Sequence, residues 1–90
     1  MKHLRLRIYG RVQRIGFRFH SMQTAYKYNV TGLVRNMSDG SVYIEAEGEN
    51  GNIDRFVDWC RIGPLGAKIE KFLMEEGEVK NYTSFDIDRV

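Results

Sequence analysis

Gly10-Arg11-Val12-Gln13-Arg14-Ile15-Gly16-Phe17-Arg18 joins the end of an alternating segment to the start of a helical one. Before it, Leu4, Leu6 and Ile8 alternate with Arg5, Arg7 and Tyr9, the period-two pattern of a half-buried strand. After it, Phe17 to about Tyr28 holds no Gly or Pro, and Phe19, Met22, Ala25 and Tyr26 recur at helical spacing. A strand that passes through a short glycine-bounded turn into a helix aims backbone N–H groups, and the helix's positive end, at one spot. Arg11, Arg14 and Arg18 add charge to that spot. The stretch predicts an anion cradle with Arg18 as its fixed cation. A basic loop that only connects two elements is the plain alternative.

Downstream, Asn29 stands where the first helix ends, and Asn tolerates the left-handed conformation of a C-terminal cap. Thr31 to Asn36 predicts a second strand. Ser38-Asp39-Gly40 predicts a hairpin turn. Val42, Ile44 and Ala46 alternate with Tyr43, Glu45 and Glu47 in a third strand. A second helix is expected to be capped by Asn52 or a near neighbour, with Asp54 in its first turn. Its inner stripe is Ile53, Phe56, Val57 and Cys60, and Gly63-Pro64 stops it. Ala67, Ile69 and Phe72 begin a fourth strand whose 69-to-72 spacing predicts a bulge. Glu75-Glu76-Gly77-Glu78 is expected to be a solvated bend. Phe85 and Ile87 make a short last strand. The order β-α-β-β-α-β predicts an α+β, ferredoxin-like sandwich: an antiparallel sheet with two helices on one face. Crossovers are expected to be right-handed, and the second strand to run parallel to the first. Asn36 then falls at the same end of the sheet as Arg18.

Ninety residues with a 42% apolar share predict a single domain over residues 1–90. No apolar run approaches the ~20 residues that span a bilayer, and Met1-Lys2-His3-Leu4-Arg5 is too charged for a signal peptide. One cysteine forms no internal disulfide, which fits a reducing cytoplasm. One Cys and two scattered His form no structural metal motif, so no metal is expected. The net charge of +2 conceals an asymmetry. Residues 1–38 carry eight Lys or Arg and no acid, whereas residues 39–90 carry six bases and all twelve acids. The basic half predicts an anionic partner, a small phosphorylated molecule or a nucleic acid. Cys60 reads as a core residue, His3 and His20 as surface groups, and Trp59 as an edge of the core. Tyr9, Tyr43 and Arg5 read as an exposed sheet face.

The nine-residue stretch resembles the acylphosphatase signature G-[RK]-V-Q-G-V-x-F-R. Thr31-Gly32-Leu33-Val34-Arg35-Asn36, followed by Asp39-Gly40, resembles that family's second block. Gly63-Pro64-Leu65-Gly66-Ala67 resembles its third. The three blocks are in register, and the likeness spans essentially the whole chain. It implies an enzyme that hydrolyses the carboxyl-phosphate anhydride of small acyl phosphates to carboxylate and inorganic phosphate, with no metal, no cofactor and no covalent intermediate. By position, Arg18 binds the phosphoryl oxygens and Asn36 orients the attacking water. The loop Gln13, Arg14, Ile15, Gly16, Phe17 and Arg18 holds the remaining oxygens.

A substrate already activated by a weakly basic leaving group needs little acid–base help, so a neutral amide that positions water suffices. Inorganic phosphate is then product and inhibitor. The expected setting is a cytoplasmic monomer without nucleic-acid or membrane partners. This chain departs from the pattern at Arg14, where the family usually has Gly. It departs again at Met37 for a frequent Thr, at Asn29 for a cap Gly and at Leu33 for a common Trp. Two other functions fit the fold class: a phosphate-binding regulatory domain without turnover, and a nucleic-acid module. The second lacks its RNA-recognition octamer, since the third strand is acidic.

Overall fold

The computed structural model describes residues 1–89. Its elements are β1 (Lys2–Arg11), α1 (Phe17–Lys27), β2 (Thr31–Asn36), β3 (Val42–Gly48), α2 (Asn50–Ile62), β4 (Lys68–Gly77) and β5 (Phe85–Ile87). The five strands form one sheet in the order β4-β1-β3-β2-β5. β1 lies antiparallel to both β3 and β4, and β3 antiparallel to β2, so β1 and β2 run the same way with β3 between them. The short β5 pairs parallel to β2, the one parallel pair among the described residues, in a sheet expected to be antiparallel. Among the described residues, no helix is long and apolar enough to cross a membrane.

The core lies between the sheet and the helices. Leu4, Leu6 and Ile8 of β1 and Ile44 of β3 meet the α2 stripe, and Ile53, Phe56 and Cys60 are fully buried there. Each such large side chain contributes about 1.5–3 kcal/mol through burial. Phe56 and Phe85 pack edge to face, centroids 5.6 Å apart, which fastens the last strand to α2. Trp59 packs at the margin of this core, edge-on to Phe17.

α1 buries a different stripe from the expected one. Phe17, Ser21 and Ala25 point inward, while Phe19 and Tyr26 are exposed and Met22 is half-buried. The small residues let α1 lie close to the sheet. The buried Ser21 hydroxyl is satisfied by donating to the Arg18 carbonyl at 2.8 Å. Asn29 ends the helix as expected, at φ 57°. Its amide donates to the Tyr26 carbonyl and the Val30 amide to the Ala25 carbonyl, the paired bonds of a Schellman cap.

Three further expectations change. α2 begins at Asn50 with Glu49 as its N-cap and no acid in its first turn, so neither Asn52 nor Asp54 has the predicted role. β4 continues through Glu75 and Glu76 to Gly77, because Glu75 stands opposite Arg5 on β1 and accepts two hydrogen bonds from it. The bulge does occur: the register shifts between Tyr9 and Gly10, skipping Glu70. Gly10 is required there. It holds φ 125°, and a Cβ would sit 2.1 Å from the Lys68 carbonyl oxygen.

His3 is the third change. It is 1% exposed, under the segment that crosses the helix-free face of the sheet from β4 to β5. This strap, residues 78–84, is held by two buried carboxylates of β3. Glu47 accepts from His3 Nδ1 at 2.8 Å, from the Tyr82 amide at 3.0 Å and from the Lys80 amide. Glu45 accepts from the Tyr82 hydroxyl, the Lys80 ammonium and the Tyr43 hydroxyl. Burial pushes the Glu45 carboxyl up, but these hydrogen bonds outweigh it and hold it down at about 2. Burial, with Glu45 as acceptor, pushes Tyr82 and Tyr43 up to about 12.

Candidate active site

Beyond the bulge, β1 delivers Val12, whose side chain is fully buried and anchors the start of the loop. The Gln13 side chain then reaches the β2–β3 turn, its amide donating to the Met37 carbonyl at 2.8 Å and the Ser41 carbonyl at 2.9 Å. This bridge ties the loop to the end of the strand that carries Asn36. The turn is braced from a second side: the Arg7 guanidinium donates to the Ser41 hydroxyl at 2.6 Å and pairs with Asp39 at 2.9 Å.

Arg14 and Gly16 both have left-handed backbones, φ 65° and 79°. Left-handed residues inside a loop curl consecutive amides to one side and make anion-binding concavities. For Arg14 the conformation costs about 1–2 kcal/mol relative to a glycine. Among the described residues, no hydrogen bond occupies the amides of Arg14, Ile15 or Gly16. Gly16 is also the N-cap of α1 and has no capping side chain. The first helical bond runs from the His20 amide to the Gly16 carbonyl, which leaves the amides of Phe17, Arg18 and Phe19 without intrahelical acceptors.

Loop, helix start and strand end enclose a cleft of about 130 Å³. Arg14, Gly16, Phe17, Arg18 and Asn36 all line it. Of the predicted site residues, Gln13 and Ile15 do not: Gln13 is the bridge just described, and Ile15 packs against the core. Three residues that motif reading passed over also line the cleft, Phe19 from α1, Ile87 from β5 and Arg89 from beyond it. No local pattern marks Arg89. The fold carries it there through Asp88, whose amide donates to the Val34 carbonyl at 2.8 Å and whose carboxylate pairs with Arg35 at 2.6 Å.

Among the described residues no carboxylate and no imidazole lines the cleft, and nowhere do three or more His, Cys, Asp or Glu gather as they would around a metal ion. Two larger grooves, about 470 and 500 Å³, lie over β1 and β4 and beside α2. The cations of the first are already paired, Arg5 with Glu75 and Arg7 with Asp39. The smaller cleft therefore concentrates unpaired donors and positive charge. It suits a compact anion of several oxygens better than an apolar ligand.

A profile of the acylphosphatase family matches residues 4–87. The acylphosphatase of Lactiplantibacillus plantarum is 42% identical over 88 residues, 97% of this chain and 98% of that relative. The crystal structure of acylphosphatase from Bacillus subtilis superposes with a TM-score of 0.95 at 31% identity, covering 99% of this chain and 100% of that one. Full-length HypF in its phosphate- and nucleotide-bound form contains a similar unit, at TM-score 0.91 and 36% identity, over 98% of this chain and 12% of that one. Sequence and fold coincide over nearly the whole length, and the chain belongs to the acylphosphatase family.

Proposed function

We propose that the cleft at the α1 N-terminus is the hydrolytic site of this acylphosphatase, with Arg18 as phosphate anchor and Asn36 as water-positioning residue. The observation that carries the reading is that Arg18, Asn36 and the loop with open amides line one small cleft. A phosphoryl group in transfer spreads charge over its equatorial oxygens. The planar Arg18 guanidinium grips two of them, and the loop amides donate to the rest. The Asn36 carboxamide accepts from a water and turns its lone pair toward phosphorus.

Water attacks, the bond between phosphorus and the acyl oxygen breaks, and its electron pair leaves with the carboxylate. Protons of the water remain with phosphate or pass to solvent. The leaving carboxylate is weakly basic, so a cleft without a titratable side chain is adequate. Rate comes from charge stabilisation and positioning, not from a general base.

The reading takes the single core as one catalytic domain acting as a cytoplasmic monomer on a soluble substrate. It leaves nucleic acid aside, because Glu45, Glu47 and the strap occupy much of the sheet face on which bases would stack. Hydrolysis of benzoyl phosphate, followed by loss of its ultraviolet absorbance, tests it. Arg18→Ala is expected to lose both affinity and turnover. Asn36→Ala is expected to lose about 10²–10³ in kcat with little change in KM, as for removal of one positioned group. Phosphate should inhibit competitively, and a chelator should have no effect. Wild-type rates in both variants would overturn the assignment.

A further inference from the structure

The cleft of about 130 Å³ holds roughly the volume of four water molecules. A phosphoryl group with its oxygens fills it. The acyl part of a substrate must then lie at the rim, where the exposed side chains are those of Arg14, Phe19 and Arg89. Two of these three are cations, and no carboxylate among the described residues lines the cleft to neutralise them. The nearest acid of the terminal segment, Asp88, is committed to Arg35. That pairing and the Asp88 amide bond to Val34 fix the residue beside Arg89, so its guanidinium starts from a held backbone.

Arg14 carries an independent sign. It keeps a left-handed backbone that glycine would adopt without strain. A residue held in a strained conformation at a site points to use of its side chain. Phosphate alone does not account for that side chain, since Arg18 and the loop amides already surround the small cleft.

We propose that Arg14 and Arg89 form a second anion-recognising rim, and that this enzyme prefers acyl phosphates whose acyl group ends in a second negative charge. The assignment rests on the hydrolytic reading above and adds the substrate class to it. Exposed ion pairs give up to about five-fold each. Two of them give an expected ten-fold preference in kcat/KM for succinyl phosphate over butanoyl phosphate, which differ by a terminal carboxylate in place of a methyl.

The test compares both substrates, at low salt and in 1 M salt where the screening length falls to ~3 Å. The preference should shrink at high salt. It should fall to two- or three-fold in Arg89→Gln and in Arg14→Gly, and to near one in the double variant. Arg14→Gly should also melt at a higher temperature while losing selectivity, a combination that a merely structural role for Arg14 does not give. A phosphate-ended acyl phosphate run beside these separates a general response to charge from a specific response to carboxylate. Either outcome there supports the rim provided the variants abolish it. Equal kcat/KM for the matched pair, or a preference that the variants leave intact, overturns the proposal while hydrolysis stands. Hydrolysis of no acyl phosphate at all overturns the hydrolytic reading and this one with it.

Discussion

Replacing Glu47 by alanine should cost the fold heavily and the chemistry almost nothing. The Glu47 carboxylate, on a residue 1% exposed, holds three donors at once: His3 Nδ1 and the amides of Lys80 and Tyr82. A hydrogen bond to a charged group contributes about 1.5–3 kcal/mol, which sets an upper bound of several kcal/mol for three. Part of that returns, because strap 78–84 can lift and let water reach its own two amides. His3 gains less, lying beneath the Tyr82 ring with its Nε2 already lacking a hydrogen-bond partner. A net loss of about 3–5 kcal/mol follows, because three donors lose one charged acceptor that water replaces only in part.

Total stabilities run about 5–15 kcal/mol, and each kcal/mol shifts Tm by about 4–8 °C in a domain of this size. The variant should therefore melt roughly 12–40 °C lower yet stay folded in the cold. Glu47→Gln keeps the shape and one acceptor and should lose about half as much. Glu47 pairs with His3 and Thr31, at the start of β1 and β2, whereas the cleft is built where those strands end. So kcat on benzoyl phosphate at 15 °C should match wild type. Urea unfolding followed by circular dichroism measures the loss. A change under 1 kcal/mol, or a fall in kcat at unchanged stability, would refute the reasoning.

The same cluster sets the pH response. Glu45 is held at about 2 against an ordinary 4.5, so its contribution is present above pH 4.5 and is lost as pH falls from there toward 2. The shift corresponds to about 3 kcal/mol, which urea titrations between pH 2 and 7 would reveal and Glu45→Gln should remove. At the alkaline end Tyr43 and Tyr82 are held near 12. Their contribution is intact below pH 10 and is lost as pH rises toward 12, which spectroscopic titration of the tyrosines against stability would follow. Cys60 is fully buried and its thiol is pushed well up by that burial, so it should resist a thiol reagent in the native protein and react at once in denaturant. Rapid labelling of native protein would contradict that placement.

Burial was readable from the sequence wherever hydrophobicity marked it. The alternation of β1 and the Ile53–Cys60 stripe of α2 are apolar on the inside and polar outside, and both fold as read. The bulge was visible because the apolar spacing breaks between Ile69 and Phe72. α1 misleads for the same reason: its inner face uses Ser21 and Ala25, which carry little hydrophobic signal, while Phe19 and Tyr26 face outward. His3, Glu45 and Glu47 look like a solvated strand face until a strap without a motif of its own covers them. Glu75 and Glu76 look like a bend, yet charged residues are what an edge strand carries. At the site, Arg18 and Asn36 were legible as motif positions. The side-chain bridge of Gln13 and the presence of Arg89 depend on pairings across the sheet that no local pattern records.

The sheet order has a consequence for a chain still being made. Leu6 is flanked by Ile44 of β3 and by Met74 of β4. When β3 has emerged and paired, the other side of β1 remains a row of free N–H and C=O groups until residues 68–77 follow. At about 5–20 residues per second, the stretch from Gly48 to Gly77 takes roughly one and a half to six seconds. An open strand edge recruits other chains in that time. Arg5, whose partner Glu75 arrives only with β4, meanwhile stands without it on the waiting strand, and like charges on neighbouring nascent chains keep those edges apart.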